Sequence, residues 1–389
     1  MQINKMNWPL LALATGAFGI GVTEFSPMGM LPVIAGGLDV SIPAAGLLVS
    51  AYALGVMIGA PVMTLLFSRF GKRQALISLM AIFTLGNLLS AVAPSYGGLM
   101  AARVITSLNH GAFFGLGAVV AASVVAPEKR ASAVAAMFMG LTIANVGGVP
   151  MATWVGQHIG WRMAFAGTAV LGLITMAALW RALPAGQPGT RPDVRHELSV
   201  LARPQVLAAL LTTVLGASAM FTLYTYVAPL LHSLAGASDG FVTLALVLIG
   251  LGFSVGNWLG GRLAGWSLDG ATALFLAALS LLSLAVPLLA GSTLGAGAVL
   301  LVWGAAAFAI VPPVQTRVML AAAEAPGLAS SVNIGAFNLG NAIGAALGGA
   351  VIRAGLGYSA VPVAGALTAA AALALVWFSR QRRDARATA

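Results

Sequence analysis

Three side chains stand out because charged groups are so scarce around them. Of nine acidic residues, eight sit at loops or at the ends of apolar runs, namely Asp39, Glu128, Asp193, Glu197, Asp239, Asp269, Glu324 and Asp384. Glu24 alone lies deep inside such a run, from Pro9 to Ala35. Arg103 and His110 are the basic groups inside the runs, seven residues apart on one segment, and two helical turns put them on one face. A carboxylate in hydrocarbon costs several kcal/mol unless it is protonated or paired, so an intramembrane Glu belongs on an internal cavity and is the natural carrier of a proton. On this reading Glu24 takes and releases the proton, Arg103 stabilises the anion, and His110 tunes or relays. The competing reading is a static Glu24–Arg103 pair that fixes helix register, with His110 hydrogen-bonding across helices.

At membrane depth lie uncharged polar and aromatic groups that could contact a small organic solute: Tyr52, Asn109, Phe113, Asn145, Tyr224, Tyr226, Gln315, Asn333 and Asn338. Interhelical hydrogen bonding and ordinary aromatic packing explain the same residues equally well. Enzyme chemistry finds no support. The chain has no cysteine, its histidines His110, His158, His196 and His232 show no metal-type spacing, and no Ser/His/Asp grouping or phosphate-binding loop stands beside an acid or base. No metal and no cofactor is expected; the energy source would be the proton gradient.

The elements that position these groups follow from composition. The 389 residues are 60% hydrophobic and only 7% charged, against roughly a quarter charged in soluble domains. The formal charge of +10 does not point to nucleic acid, because the cations fall in short gaps between apolar runs rather than along one face. Twelve runs are long enough to cross about 30 Å of hydrocarbon as helices. They are residues 9–35, 43–67, 74–93, 96–126, 131–156, 163–183, 205–231, 241–264, 271–291, 295–320, 327–354 and 357–378. With both termini cytoplasmic, sixteen of the nineteen Lys and Arg residues collect on the inner side, the bias expected of an even number of crossings. At 1.5 Å per residue, Glu24 then lies about 15 Å below the outer end of its span, Arg103 about 9 Å and His110 about 20 Å. Continuous apolar runs exclude a β-barrel, whose strands alternate over about ten residues. The 48 glycines suit close helix packing in lipid. The expected fold is an all-α integral membrane protein of two six-helix bundles. Residues 1–183 form one, a Pro-rich cytoplasmic linker covers 184–204, and 205–389 form the second with a basic tail.

The halves echo each other at an offset of about 196 residues. The segment from Gly59, GAPVMTLLFSRFGKR, answers GNWLGGRLAGW from Gly256, and Ala131-Ser132-Ala133 answers Ala329-Ser330-Ser331. Such a repeat predicts a pseudo-two-fold axis along the membrane normal and a site between the bundles near mid-membrane.

Thr23-Glu24-Phe25 followed by Gly29, Leu31-Pro32 and Ile34-Ala35, and Leu99 to Arg103 followed by His110-Gly111, resemble span 1 and span 4 signatures of the major facilitator superfamily. Within it they are similar to the twelve-span drug:proton antiporters of the arabinose-efflux-permease-like branch. Gly140, Gly147, Gly148, Pro150 and Gly156 resemble that family's span 5 antiporter motif. Arg69, Gly71, Lys72 and Arg73 resemble its loop motif between spans 2 and 3, with Ser68 where the family carries Asp, so a charge-based latch between the halves is not expected. The resemblance implies a proton-coupled antiporter of the bacterial inner membrane, working as a monomer and exporting a small organic solute such as a drug or sugar by alternating access. A proton-independent facilitator of a sugar or nucleoside is the alternative.

Overall fold

The computed structural model describes residues 7–67, 69–126, 130–184, 199–324 and 326–387. Ser68 and most of the 184–204 linker lie outside the described residues. A backbone in hydrocarbon must close its own hydrogen bonds, and the described chain is helical nearly throughout, with no strand among the described residues.

The first half comprises α1 (Trp8–Gly37), α2 (Ile42–Phe67), α3 (Lys72–Ala91), α4 (Tyr96–Ser107), α5 (His110–Ser123), α6 (Arg130–Ile143), α7 (Val149–Val155) and α8 (Trp161–Ala182). Helices α4 and α5 form one crossing, interrupted at Leu108–Asn109. Helices α6 and α7 form another, joined by a π-helical turn at Ala144–Gly148. That wide turn immediately precedes Pro150, whose ring and missing N–H disfavour a regular helical turn before it. The second half comprises α9 (Pro204–Tyr224), α10 (Val227–Ala235), α11 (Asp239–Ala264), α12 (Leu268–Leu289), α13 (Thr293–Ala309), α14 (Val311–Ala321), α15 (Pro326–Arg353) and α16 (Ala360–Ala387). Helices α9–α10 and α13–α14 are each a single interrupted crossing. Serine hydroxyls open several helices: Ser95, Ser238, Ser267 and Ser292 each accept from a backbone N–H three residues on, satisfying a donor the helix cannot.

By length and composition the described chain holds eleven apolar helical runs, of which Ala133–Ala182 spans 50 residues. At 1.5 Å per residue that is about 75 Å, more than twice the hydrocarbon thickness. The chain turns back at Gly160, whose φ of 125° is open to glycine and strained for other residues. Arg162 donates to the carbonyl of Ala93 at the end of α3, and Arg73 at its start donates to the carbonyl of Leu183. Helix α8 therefore runs back antiparallel to α3, and twelve crossings result.

Packing partners repeat six crossings apart. Helix α3 lies on α8 as α12 lies on α16, and α2 lies on α4 and α5 as α11 lies on α13. Between the halves, α2 packs on α15 and α7 packs on α11, contacts that exchange under the same repeat. With little hydrophobic drive between helices in lipid, small residues let backbones approach. Gly140 faces the backbone of Ala14, and Gly250 faces the carbonyl of Asn145 across the halves, places where any Cβ would collide.

Candidate functional site

The halves enclose a cavity of about 670 Å³, lined by Glu24, Phe25, His110, Phe114 and Phe138 from the first and by Asn257, Phe308, Gln315, Asn333 and Asn338 from the second. Further lining residues, among them Ala122, Met319 and Ser330, lie toward the helix ends on the side of Leu183 and Arg203, so the cavity opens on that side. The opposite end is closed. Ser50 on α2 donates to the carbonyl of Ala342 on α15 at 3.0 Å, and Thr243 on α11 donates to the Gln157 side chain at 3.1 Å. Tyr226 there donates to the carbonyl of Ala345 and sits against Gly46.

Glu24, Arg103 and His110 are all buried, with relative exposures of 3%, 1% and 4%. The contacts among them differ from the simplest expectation. His110 Nε2, not Arg103, lies nearest the carboxylate, 3.9 Å from Glu24 Oε2. On the other side of the imidazole, Nδ1 shares a hydrogen bond of 3.2 Å with the hydroxyl of Tyr52. The Tyr52 ring in turn carries the guanidinium of Arg103, 4.2 Å from its centroid, with Phe165 at 5.9 Å. Glu24, His110, Tyr52 and Arg103 thus form one continuous chain of contacts.

Arg103 has a further partner that explains where it stands. Pro27 lies inside α1, and a proline has no N–H to offer the carbonyl four residues earlier. That carbonyl belongs to Thr23, and Arg103 Nη1 donates to it at 2.8 Å. Thr23 Oγ1 donates to Asn87 Oδ1 at 2.7 Å, tying the same turn to α3. Glu24 Oε1 and Arg103 Nε and Nη2 are buried with no hydrogen-bond partner. A static Glu24–Arg103 ion pair is therefore absent; Arg103 secures the backbone beside Glu24 and keeps donors in reserve.

The residues expected to contact solute divide. Gln315, Asn333 and Asn338 line the cavity, whereas Tyr52, Asn109, Phe113, Asn145, Tyr224 and Tyr226 do not. Asn109 sits at the break between α4 and α5 with its amide 4.0 Å from Met80 Sδ. Phe113 fills the space over Gly16, and its neighbour Phe114 takes the cavity wall instead. Asn145 donates to the carbonyl of Leu141 within its own helix. Tyr224 packs against Phe25, Phe221 and Phe253, and Tyr226 serves the closed end.

Of the motif residues, Gly59 lies against Leu108 at the helix break, Gly148 against Phe18 and Val22, and Gly147 faces open space. Pro150 is buried in α7. Gly71 precedes α3 with no side-chain cap, Arg69 is exposed and Lys72 opens the helix. At the same end, Arg203 and Glu324 pair through two bonds of 2.8 and 2.9 Å, which hold the guanidinium above its ordinary range.

The sequence reading missed Tyr52 as the bridge, Thr23 and Asn87 as its support, and Phe138 and Phe308 as cavity walls. Pro27, four residues after Thr23, was the available signal for Arg103.

The Major Facilitator Superfamily profile matches residues 13–334. The inner membrane transport protein YdhP of Escherichia coli (strain K12) is 66% identical over 379 residues, covering 97% of each chain. A chloramphenicol resistance protein of Streptomyces lividans is 34% identical over 347 residues, covering 87% of this chain and 88% of the relative. Among solved structures, the xylose transporter XylE of E. coli in a partially occluded inward-open conformation superposes with a TM-score of 0.71 at 16% identity, over 95% of this chain and 96% of that one.

Proposed function

The chain belongs to the major facilitator superfamily and is a multi-pass membrane transporter; from that premise we propose that it exports a small organic solute across the inner membrane in exchange for protons. The observation that carries the reading is Glu24, the one carboxylate on the cavity wall among the described residues, held beside His110. An acid kept in this place at such desolvation cost is the group a proton gradient can act on. Export, rather than import, is favoured by the similarity to a chloramphenicol resistance protein, and the inner membrane by the similarity to YdhP.

In the proposed cycle both termini are cytoplasmic, in keeping with the distribution of cations, and the open end of the cavity faces the cytoplasm. Glu24 releases its proton there, solute enters, and the halves rock about the pseudo-two-fold axis. With the opposite end open, Glu24 takes a proton from outside as solute leaves. His110 and Tyr52 form the path by which the proton's arrival alters the hydrogen bonds around Arg103. Binding of proton and solute disfavour each other by a reciprocal coupling energy. The transporter works as a monomer and needs no cofactor beyond the proton gradient.

The test is proton flux in vesicles of the purified protein under an imposed pH gradient, challenged with neutral and cationic solutes. Solute-triggered flux supports antiport. Solute uptake that ignores the gradient would instead establish a proton-independent facilitator.

A further inference from the structure

The two walls of the cavity differ in chemistry. The first half brings the ionisable groups, Glu24 and His110, and the second brings side-chain amides and hydroxyls without charge. These form a one-way hydrogen-bonded ladder. Thr213 donates to Asn333 Oδ1 at 2.7 Å, the Asn333 amide donates to Gln315 Oε1, and the Gln315 amide donates to the Ser330 hydroxyl at 2.8 Å. Each amide nitrogen in the ladder retains a second N–H and each carbonyl oxygen a second lone pair. Deeper along α15, Asn338 spends its nitrogen on the carbonyl of Ile334, and its Oδ1 is buried on the cavity wall with no partner. An orphan acceptor in a low-dielectric site keeps its desolvation penalty until a donor reaches it.

Resting on the export reading above, we propose that this amide ladder is the specificity element, selecting an uncharged solute that carries both hydrogen-bond donors and acceptors on an aromatic body. Phe25, Phe114, Phe138, Phe308 and Phe337 supply the apolar surface such a body needs, and about 670 Å³ is in the size range of cavities that hold drug-sized ligands. A lipophilic cation fits poorly. The Glu24 carboxylate already has the His110 imidazole against its Oε2, and the positive Arg103 stands behind Tyr52. A cation would approach a carboxylate already shielded and a guanidinium that repels it. Only a ligand with donors and acceptors of its own answers Asn338 and the spare valences of Asn333 and Gln315.

The test is equilibrium binding to the purified full-length protein, which needs no proton coupling and so stands or falls apart from the antiport reading. The neutral probes are chloramphenicol, thymidine and phenyl β-galactopyranoside; the cation is tetraphenylphosphonium. At least one neutral probe should bind more tightly than the cation. Gln315→Leu and Asn338→Leu should each weaken that probe about tenfold, the equivalent of about 1.4 kcal/mol for one hydrogen bond. Tetraphenylphosphonium binding, weak in the parent, should change by less than twofold, and unfolding temperatures in detergent near the parental one show that the variants are folded. Tighter binding of the cation, no binding of any neutral probe, or neutral binding indifferent to both substitutions would each overturn the proposal. If the neutral probes bind as expected yet none triggers proton flux, the specificity assignment stands and the antiport reading fails.

Discussion

Arg103 is assigned a backbone partner created by a proline four residues downstream, and this can be tested with a double-mutant cycle. Arg103→Met keeps the apolar stem between Tyr52 and Phe165 but removes the donor to Thr23. A charge-assisted bond to a carbonyl is worth about 1.5–3 kcal/mol, and the buried carbonyl left behind carries its own penalty of about 1–3 kcal/mol. The substitution should therefore destabilise the protein by about 3 kcal/mol. Pro27→Ala restores an N–H at the position that serves Thr23 within α1, so in that background the carbonyl already has its helical partner. The same Arg103→Met change should then cost less by about 1–2 kcal/mol. The cation–π contact with Tyr52 is lost in both backgrounds and cancels from the cycle. The assay is reversible SDS unfolding of the four proteins in mixed micelles, followed by tryptophan fluorescence. Additivity within about 0.5 kcal/mol, the usual result for independent sites, would refute the claim that Pro27 creates the Arg103 site.

Other outcomes follow from the same geometry. Tyr52→Phe keeps the ring under Arg103 and removes the hydroxyl bonded to His110, so thermal stability in detergent should fall by about 1 kcal/mol or less while the pH profile of transport changes; an unchanged profile would exclude Tyr52 from the proton path. Gly250→Val places side-chain atoms against the Asn145 carbonyl, so the closed end should open. Spin labels at Asp39→Cys and Gly291→Cys in this cysteine-free chain should show a larger population at long distance than the Gly250 parent. Ser50→Ala removes one bond between the halves and should bias the same equilibrium by about 1 kcal/mol, or roughly fivefold in population.

Much of this architecture is legible in the sequence because the bilayer imposes simple rules. A chain with so few charges must bury its backbone in helices, and the cations mark the loops. Glu24, Arg103 and His110 stand out as lone ionisable groups in apolar runs, and helical rise brackets the carboxylate in depth between the two basic groups. Their mutual contacts were not readable, because these depend on how α1, α2, α4 and α5 rotate against one another. The interruption at Leu108–Asn109 resets the face of α5, which is why Phe114 reaches the cavity and Phe113 does not. Tyr52 looked like a solute contact because nothing in its local pattern reveals that Arg103 lies on its ring. Asn145 illustrates a general ambiguity: a short amide in a span can always bond the carbonyl one turn back. Gln315 and Asn333 escape that ambiguity only in three dimensions, where α14 and α15 bring them to one wall; Asn338 makes the same bond one turn back, to Ile334, and reaches the wall all the same.

The central claim is that Glu24 couples solute movement to the proton gradient, and vesicle transport by Glu24→Gln measures it most directly. The glutamine preserves size and hydrogen bonding but cannot carry the proton. The variant, whose neutral side chain stands in for the protonated acid and so binds solute more weakly, should still exchange labelled solute for unlabelled solute across the membrane, yet no longer accumulate solute when a pH gradient is imposed. Gradient-driven accumulation retained at the parental level would contradict it.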